Sequence, residues 1–169
     1  MTGPELLTDA FGRVRDSVHR VLGGLDAREL LVRIDPDANT IAWLVWHLTR
    51  VQDDHIADVM GAEQIWLSAG WVDRFRLTLP PTDTGYGHSS DDVAAVVVDS
   101  PALLLGYFDE VHDRTLHFLS TLSEADLDRV VDESWTPAVT LGVRLVSVIA
   151  DDLEHVGQAA FVRGVVKRR

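Results

Sequence analysis

Residues 147–164, SVIADDLEHVGQAAFVRG, have the apolar spacing of an amphipathic helix, yet acidic residues and a histidine interrupt the apolar stripe. Asp151 and His155 are four residues apart, so they lie on one helix face with Cβ atoms about 5 to 6 Å apart. Both side chains can therefore reach one common point. A divalent metal at that point is one hypothesis; the other is a helix-surface pair that contributes about a few tenths of a kcal/mol.

Helical patterns dominate on both sides of this stretch. Apolar residues recur at spacings of three and four in four segments, at residues 4–24, 41–61, 101–122 and 141–164. Thr40, Ser100 and Thr140 precede three of these segments as predicted N-caps, and Gly61 is a predicted stop. No pattern typical of a sheet is convincing. The sequence predicts an all-α fold that forms one domain over residues 1–169.

Between the second and third predicted helices, residues 62–93 contain two prolines and three glycines without a sustained period. A crossover of this length allows two consecutive helices to run parallel, so we predict a four-helix bundle with a long crossover between helices two and three. Ser89 and Asp92 have the spacing of a capping box. The apolar run that follows, VAAVVV at residues 93–98, fits a short helix or a strand equally well.

Composition excludes several classes of function. The net charge of -12, with no basic cluster longer than the terminal KRR, argues against nucleic acid as a partner. No apolar run approaches the roughly 18 to 20 residues that span a bilayer, and the first residues lack a signal-peptide pattern, so we expect no membrane partner and a cytoplasmic location. The chain has no cysteine, so any thiol chemistry must use a thiol from outside.

A second histidine strengthens the metal hypothesis. His47 lies among apolar residues in the second predicted helix, AWLVWHLTRV at residues 42–51, where a buried imidazole needs a partner. Two imidazoles and the Asp151 carboxylate suit a divalent transition metal and leave coordination positions open. Asp152, three residues before His155, is a rival ligand. Glu154 is offset by about 100° from His155 and fits a solvent face better.

The rest of the second helix leaves further alternatives. Asp54 is seven residues after His47 and either lines the site or forms an exposed ion pair with Arg50, which is the favoured interpretation. His55 is rotated by roughly 80° from His47, so we do not expect it to bind the same metal.

Four segments together resemble the DinB-like superfamily, and most closely its mycothiol-dependent S-transferase and maleylpyruvate isomerase-like branch. They are NTIAWLVWHLTRVQDDHIADVMG (39–61), GWVDRFRL (70–77), GYGHSSDDVAAV (85–96) and TLGVRLVSVIADDLEHVGQAAFVRG (140–164). The resemblance implies a four-helix bundle with a divalent metal held by one histidine of helix two and two ligands four apart on helix four. These positions are His47, Asp151 and His155. The isomerase branch has glutamate where this chain has Asp151.

The resemblance also implies an activity, that of a metal-dependent thiol S-transferase acting in detoxification or stress response. A metal, zinc by first choice, holds a low-molecular-weight thiol such as mycothiol as thiolate for attack on a small electrophile. No catalytic residue beyond the metal ligands is expected, and the chain is expected to be a monomer or homodimer. The predicted substrate or thiol wall is Trp71, Arg74, Arg76 and His88.

Two alternatives stay open. In place of a transferase, the chain is either a non-catalytic bundle that binds a metal or small molecule in a stress response, or a metal-dependent hydrolase that uses the same ligands.

Overall fold

The computed structural model describes residues 1–168 and confirms the all-α prediction. Four long helices form the bundle, and shorter elements fill the connections between them. The elements in chain order are α1 (Gly3–Leu22), α2 (Ala27–Leu30), α3 (Ile41–Met60), α4 (Ile65–Ser68), α5 (Trp71–Phe75), α6 (Ser90–Ala95), α7 (Pro101–Ser120), a 3-10 turn (Glu124–Asp128), β1 (Val130–Asp132), β2 (Val139–Thr140) and α8 (Leu141–Val166). Over residues 1–168, no helix is both long and apolar enough to cross a membrane.

Local capping fixes the ends of the two helices that carry the candidate ligands. The hydroxyl oxygens of Thr40 and Thr140 accept hydrogen bonds from the third residue of α3 and of α8, as predicted. Gly61 ends α3 in the left-handed conformation, with φ at 64°. Ser89 and Asp92 form the predicted capping box, and α6 follows, so a helix and not a strand begins there. Ser100 precedes α7 without a side-chain cap hydrogen bond.

The core consists of two apolar clusters with a polar layer between them. Gln52 on α3 donates a hydrogen bond of 2.8 Å to Thr115 on α7, and both side chains are fully buried, as is Asp152 on α8. One apolar cluster contains the first halves of α3 and α7 and the second halves of α1 and α8. The other cluster contains the second halves of α3 and α7 and the first halves of α1 and α8. The first halves of α3 and α7 belong to the same cluster, so these two consecutive long helices run parallel, as the crossover predicted.

A second buried network replaces the predicted surface pair of Arg50 and Asp54. Arg50 is fully buried, its nearest carboxylate is that of Asp53 at 3.7 Å, and it also donates to the side chain of Gln64 and to a crossover carbonyl. Asp53 accepts hydrogen bonds from the backbone amides of Ile65 and of the residue after it, so it ties α4 to α3. The favoured interpretation of Arg50 was wrong because the crossover covers this face of α3.

A small sheet follows α7 that the sequence did not predict. Strands β1 and β2 pair antiparallel, with Val130 opposite Thr140. Strands of three and two residues are too short for the alternation of apolar and polar residues that reveals a strand in a sequence. This hairpin carries Trp135 between its strands and leads directly into α8.

Candidate metal centre

The three predicted ligands meet where α3 packs against α8. One potential ligand atom from each of His47, Asp151 and His155 lies within 4.8 Å of the others. The two imidazole rings approach edge to face, with centroids 4.6 Å apart. His47 is buried, whereas Asp151 and His155 are half-buried. Helical spacing places Asp151 beside His155, but only packing between helices brings His47 to them.

Both imidazoles have their Nδ1 atoms engaged. Nδ1 of His47 donates a hydrogen bond to the carbonyl oxygen of Thr84, and Nδ1 of His155 donates to the carbonyl oxygen of Asp151, at 2.8 Å. A backbone carbonyl can only accept, so each ring in its neutral form keeps its Nε2 lone pair free. Metal-binding histidines commonly use such an outer hydrogen bond to fix the ring and its tautomer.

The Asp151 carboxylate completes the set of ligands. Its Oδ2 is buried and accepts no well-directed hydrogen bond from the described residues, although it lies 3.3 Å from Nδ1 of His155. Such an oxygen is costly to bury unless a cation compensates it. A divalent metal satisfies this oxygen and the free Nε2 atoms together, so the residues present fit the ion that their chemistry suggests.

Protonation states in the centre follow from burial and charge. Burial lowers the pKa of His47 below its ordinary value, which favours the neutral, ligating form. Burial alone raises the pKa of Asp151, but His155 and then His47 outweigh it, so the net pKa is lowered and the carboxylate is ionised. Burial likewise lowers the pKa of His155, and contacts with Asp151 outweigh it to raise that pKa. A metal must therefore displace a proton from His155 when the imidazole is charged.

The crossover loop that holds His47 is itself held in place. Gly85 has φ at 94°, and a Cβ there would lie 2.6 Å from Nδ1 of His47, so only glycine allows the loop to approach this closely. Asp83 accepts a hydrogen bond from the backbone amide of Gly85 and lies 2.9 Å from Nε2 of His88. His88 in turn accepts from Trp43. The turn signal in TGYG, residues 84–87, was visible in the sequence, but its contact with His47 was not.

A cavity of about 500 Å³ opens from the candidate ligands. His47, Asp151 and His55 all contribute to its lining. Tyr86 from the crossover and Trp135 from the hairpin flank it, and their side chains are 93% and 66% exposed. The cavity therefore has a metal-ligand side and an aromatic side, a combination suited to a small organic molecule.

The predicted wall residues do not line this cavity. Trp71 is buried against Gly106 of α7 and donates to Glu110, and Arg74 stacks on the Trp71 ring. Arg76 ends α5 in a left-handed conformation and is exposed. Helices α4 and α5 pack against α7, so these residues lie away from the cavity, and the unpredicted hairpin contributes to its lining instead.

His88, the fourth predicted wall residue, lies behind the cavity lining. It packs on Trp43 and Trp46 and supports the loop through Asp83. Its role in the structure is to hold the loop that orients His47.

The rival ligand and the remaining candidates take other positions. Asp152 is fully buried in the core and its carboxyl oxygens have no hydrogen-bond partner among the described residues, so Asp151 and not Asp152 joins the two histidines. Glu154 is exposed, as predicted, and Asp54 lines the cavity.

A larger cleft of about 590 Å³ between α1 and α7 contains none of the three ligands. Its arginines are paired with carboxylates, Arg13 with Asp9 and Arg15 with Asp109. Size alone therefore does not identify the site, and the convergent ligands favour the smaller cavity.

Comparison with known proteins agrees with this centre. The family model for the DinB superfamily matches residues 10–159. The chain belongs to the DinB superfamily. DinB proteins are often metal-binding, in keeping with the candidate site. This DinB protein is similar to a solved structure described as "conserved protein of locus from Enterococcus faecalis", with 31% identity and a TM-score of 0.93, over 100% of this chain and 99% of that one. No curated protein matches it.

Proposed function

We propose that this DinB protein is a metal-dependent S-transferase that joins a low-molecular-weight thiol, mycothiol by first choice, to a small electrophile. The observation that carries the proposal is the meeting of His47, Asp151 and His155 at the edge of a cavity of about 500 Å³. The bundle core is shared by all four long helices, which supports a single domain over residues 1–169.

The absence of cysteine supports a thiol from outside the protein. No side chain of the sequence can supply a thiolate as a nucleophile, and histidines are the metal ligands in place of thiolates. A divalent metal held by the three ligands supplies a positive charge that lowers the pKa of a coordinated thiol from about 8.5 and keeps it ionised at neutral pH.

The protein's own residues orient and shield the reactants. The Thr84 and Asp151 carbonyls hold both imidazoles with Nε2 free, so the ligands are preorganised. Tyr86 and Trp135 present aromatic faces that can cover an apolar part of a bound molecule. In the proposed reaction with an activated alkene such as N-ethylmaleimide, the S–H bond of the thiol and the carbon–carbon π bond break, and a carbon–sulfur bond forms at one alkene carbon. The thiol proton passes to water, and water returns a proton to the neighbouring carbon.

The test measures the metal content and the rate of thiol conjugation on the same protein preparations. We expect about one divalent ion per chain, zinc first, and metal-dependent conjugation of mycothiol to electrophiles such as N-ethylmaleimide. His47→Ala should lose both while its helical circular dichroism is retained. His117→Ala, which removes an exposed histidine from α7, is the matched control and should keep both.

Several outcomes distinguish the alternatives. A stoichiometric metal with no conjugation of mycothiol, bacillithiol or glutathione across a broad panel of electrophiles would contradict the transferase proposal and favour a binding protein. Metal-dependent ester or amide hydrolysis in place of conjugation would favour a hydrolase.

A further inference from the structure

The lining of the cavity at the candidate ligands contains a further histidine, His55, whose hydrogen bonding is dictated by an arginine. His55 lies on α3 two turns beyond His47, and its Nδ1 is 2.8 Å from Nη1 of Arg144 on α8. The Arg144 guanidinium also donates a hydrogen bond of 2.9 Å to Asp132 at the end of β1. The hairpin thus fixes the arginine, and the arginine fixes the histidine.

This contact determines the tautomer of His55. A guanidinium has only donors, so Nδ1 of His55 must accept and cannot carry a proton. The neutral ring then carries its proton on Nε2. Burial, followed by the charge of Arg144, lowers the pKa of His55, which agrees with a neutral ring. Within residues 1–168, no group forms a hydrogen bond with Nε2.

His55 stands where two cavities join. Together with Trp135 and Ser147 it lines both the cavity at the candidate ligands and a second cavity of about 440 Å³ that extends along Arg144. The Ser147 hydroxyl donates to the carbonyl oxygen of Val143, so it offers a molecule in the cavity only lone pairs. His55 is therefore a neutral donor at this junction, and its orientation is set by Arg144, whereas the indole of Trp135, the other neutral donor that lines both cavities, is exposed.

We propose that His55, locked as the Nε2–H tautomer by Arg144, is a positioning residue that donates a hydrogen bond to a neutral carbonyl oxygen of the electrophilic substrate. The substrate assignment rests on the proposed transferase function. The proposed electrophilic substrates are aldehydes, ketones, imides and related carbonyl compounds.

Charge argues for a neutral oxygen over a carboxylate. Asp54 lines the same cavity and would repel an anion, and the Arg144 charge is already paired with Asp132. The charge of a bound divalent metal would be balanced by Asp151 and the thiolate. A neutral carbonyl accepts from Nε2–H without bringing a further negative charge between these carboxylates.

The first experiment uses the full chain labelled with ¹⁵N-histidine, in zinc-loaded and zinc-free forms, without reference to turnover. Long-range ¹H–¹⁵N spectra should show His55 with a proton on Nε2 and none on Nδ1. N-Ethylsuccinimide, an unreactive carbonyl probe, should shift the Nε2 resonance on titration. A proton on Nδ1, or no shift with saturating probe in either form, would overturn the proposal.

Two amide variants provide a matched pair. The side-chain nitrogen of glutamine in His55→Gln reaches about as far as Nε2, whereas that of asparagine in His55→Asn reaches only as far as Nδ1. We expect probe affinity within about threefold of wild type for His55→Gln and at least about tenfold weaker for His55→Asn, in line with the loss of one buried hydrogen bond. Equal affinities in the two variants would contradict a donor at Nε2.

The experiments can reject the proposed transferase activity and the proposed carbonyl subsite independently of each other. Probe binding at His55 without conjugation of any thiol would retain the subsite and reject the transferase. Conjugation of N-ethylmaleimide at equal kcat and KM in wild type, His55→Gln and His55→Asn would retain the transferase and reject the subsite.

Discussion

The carbonyl oxygen of Thr84 accepts a 2.5 Å hydrogen bond from Nδ1 of His47, a residue 37 positions earlier in the chain. This bond joins the crossover loop to the centre of α3. It leaves Nε2 as the free nitrogen of His47, which offers one potential ligand atom to the group that it forms with Asp151 and His155. The loop is therefore part of the candidate metal centre, although it contributes no ligand of its own to the group of three.

Gly85→Ala should weaken zinc binding without removing a ligand, because its Cβ would lie 2.6 Å from Nδ1 of His47 and force the loop or the ring to move. We expect about a 10- to 100-fold weaker affinity, as for other residues that support a metal ligand. Gly87→Ala is the control: φ is 72° there, so backbone strain is similar, but no heavy atom lies within 4 Å. Competition titration with a zinc chelator measures both, and equal affinities would refute the role of the loop.

Among three neighbouring acidic residues, only Asp151→Ala should abolish stoichiometric zinc binding. Asp152→Ala and Glu154→Ala should retain it, because Asp152 is directed into the core and Glu154 is exposed. Asp151→Glu should also be tolerated, because glutamate is the residue that the resemblance to the isomerase branch implies at this position. Elemental analysis of folded variants provides the measurement. Loss of metal in the Asp152 variant alone would show that the wrong face of α8 has been assigned.

Asp53→Ala should destabilise the bundle by about 3 to 5 kcal/mol, since it leaves buried Arg50 without its carboxylate. It also removes the acceptor for two backbone amides at the start of α4. Asp54→Ala, which loses one hydrogen bond from Gln64, should cost about 1 kcal/mol. Urea unfolding monitored by circular dichroism compares them, and a difference below about 1 kcal/mol would contradict the network's importance.

Asp152→Asn should stabilise the chelator-treated protein at neutral pH. Burial, followed by the charge of Asp151, raises the pKa of Asp152 well above its usual range, and neither carboxyl oxygen has a partner among the described residues. An acid with a raised folded-state pKa stabilises most below its unfolded pKa of about 3.9, and this contribution is lost as pH rises.

The advantage of the asparagine variant should therefore grow between about pH 4 and pH 7, as the unfolded chain releases the proton that folding must return to Asp152. Thermal unfolding across this range measures it. Asp113→Asn removes one charge from an exposed position on α7 and controls for net charge. An advantage that shrinks as pH rises would contradict a buried neutral acid.

Much of the fold was predictable because its signals are local. Thr40, Gly61 and Thr140 fixed helix ends through hydrogen bonds and backbone angles within one turn, and helical spacing placed Asp151 beside His155. The length of the crossover was enough to predict that α3 and α7 run parallel.

Other features depend on how the helices rotate and what covers them. Residues 151 and 152 differ by about 100° around α8, so packing alone decided that Asp151 faces His47 while Asp152 enters the core. The crossover buried Arg50, and a hairpin too short to show a period brought Trp135 to the cavity in place of the predicted wall.

The sequence by itself therefore determined the helices, their direction and one face of the candidate centre. Only the tertiary structure decided that His47 approaches the other two ligands, that Thr84 accepts its hydrogen bond, and that Arg144 sets the tautomer of His55. The physical reason is range: caps and periodicity act within a few residues, whereas these contacts join residues 37 and 89 positions apart and exist only once the core has packed.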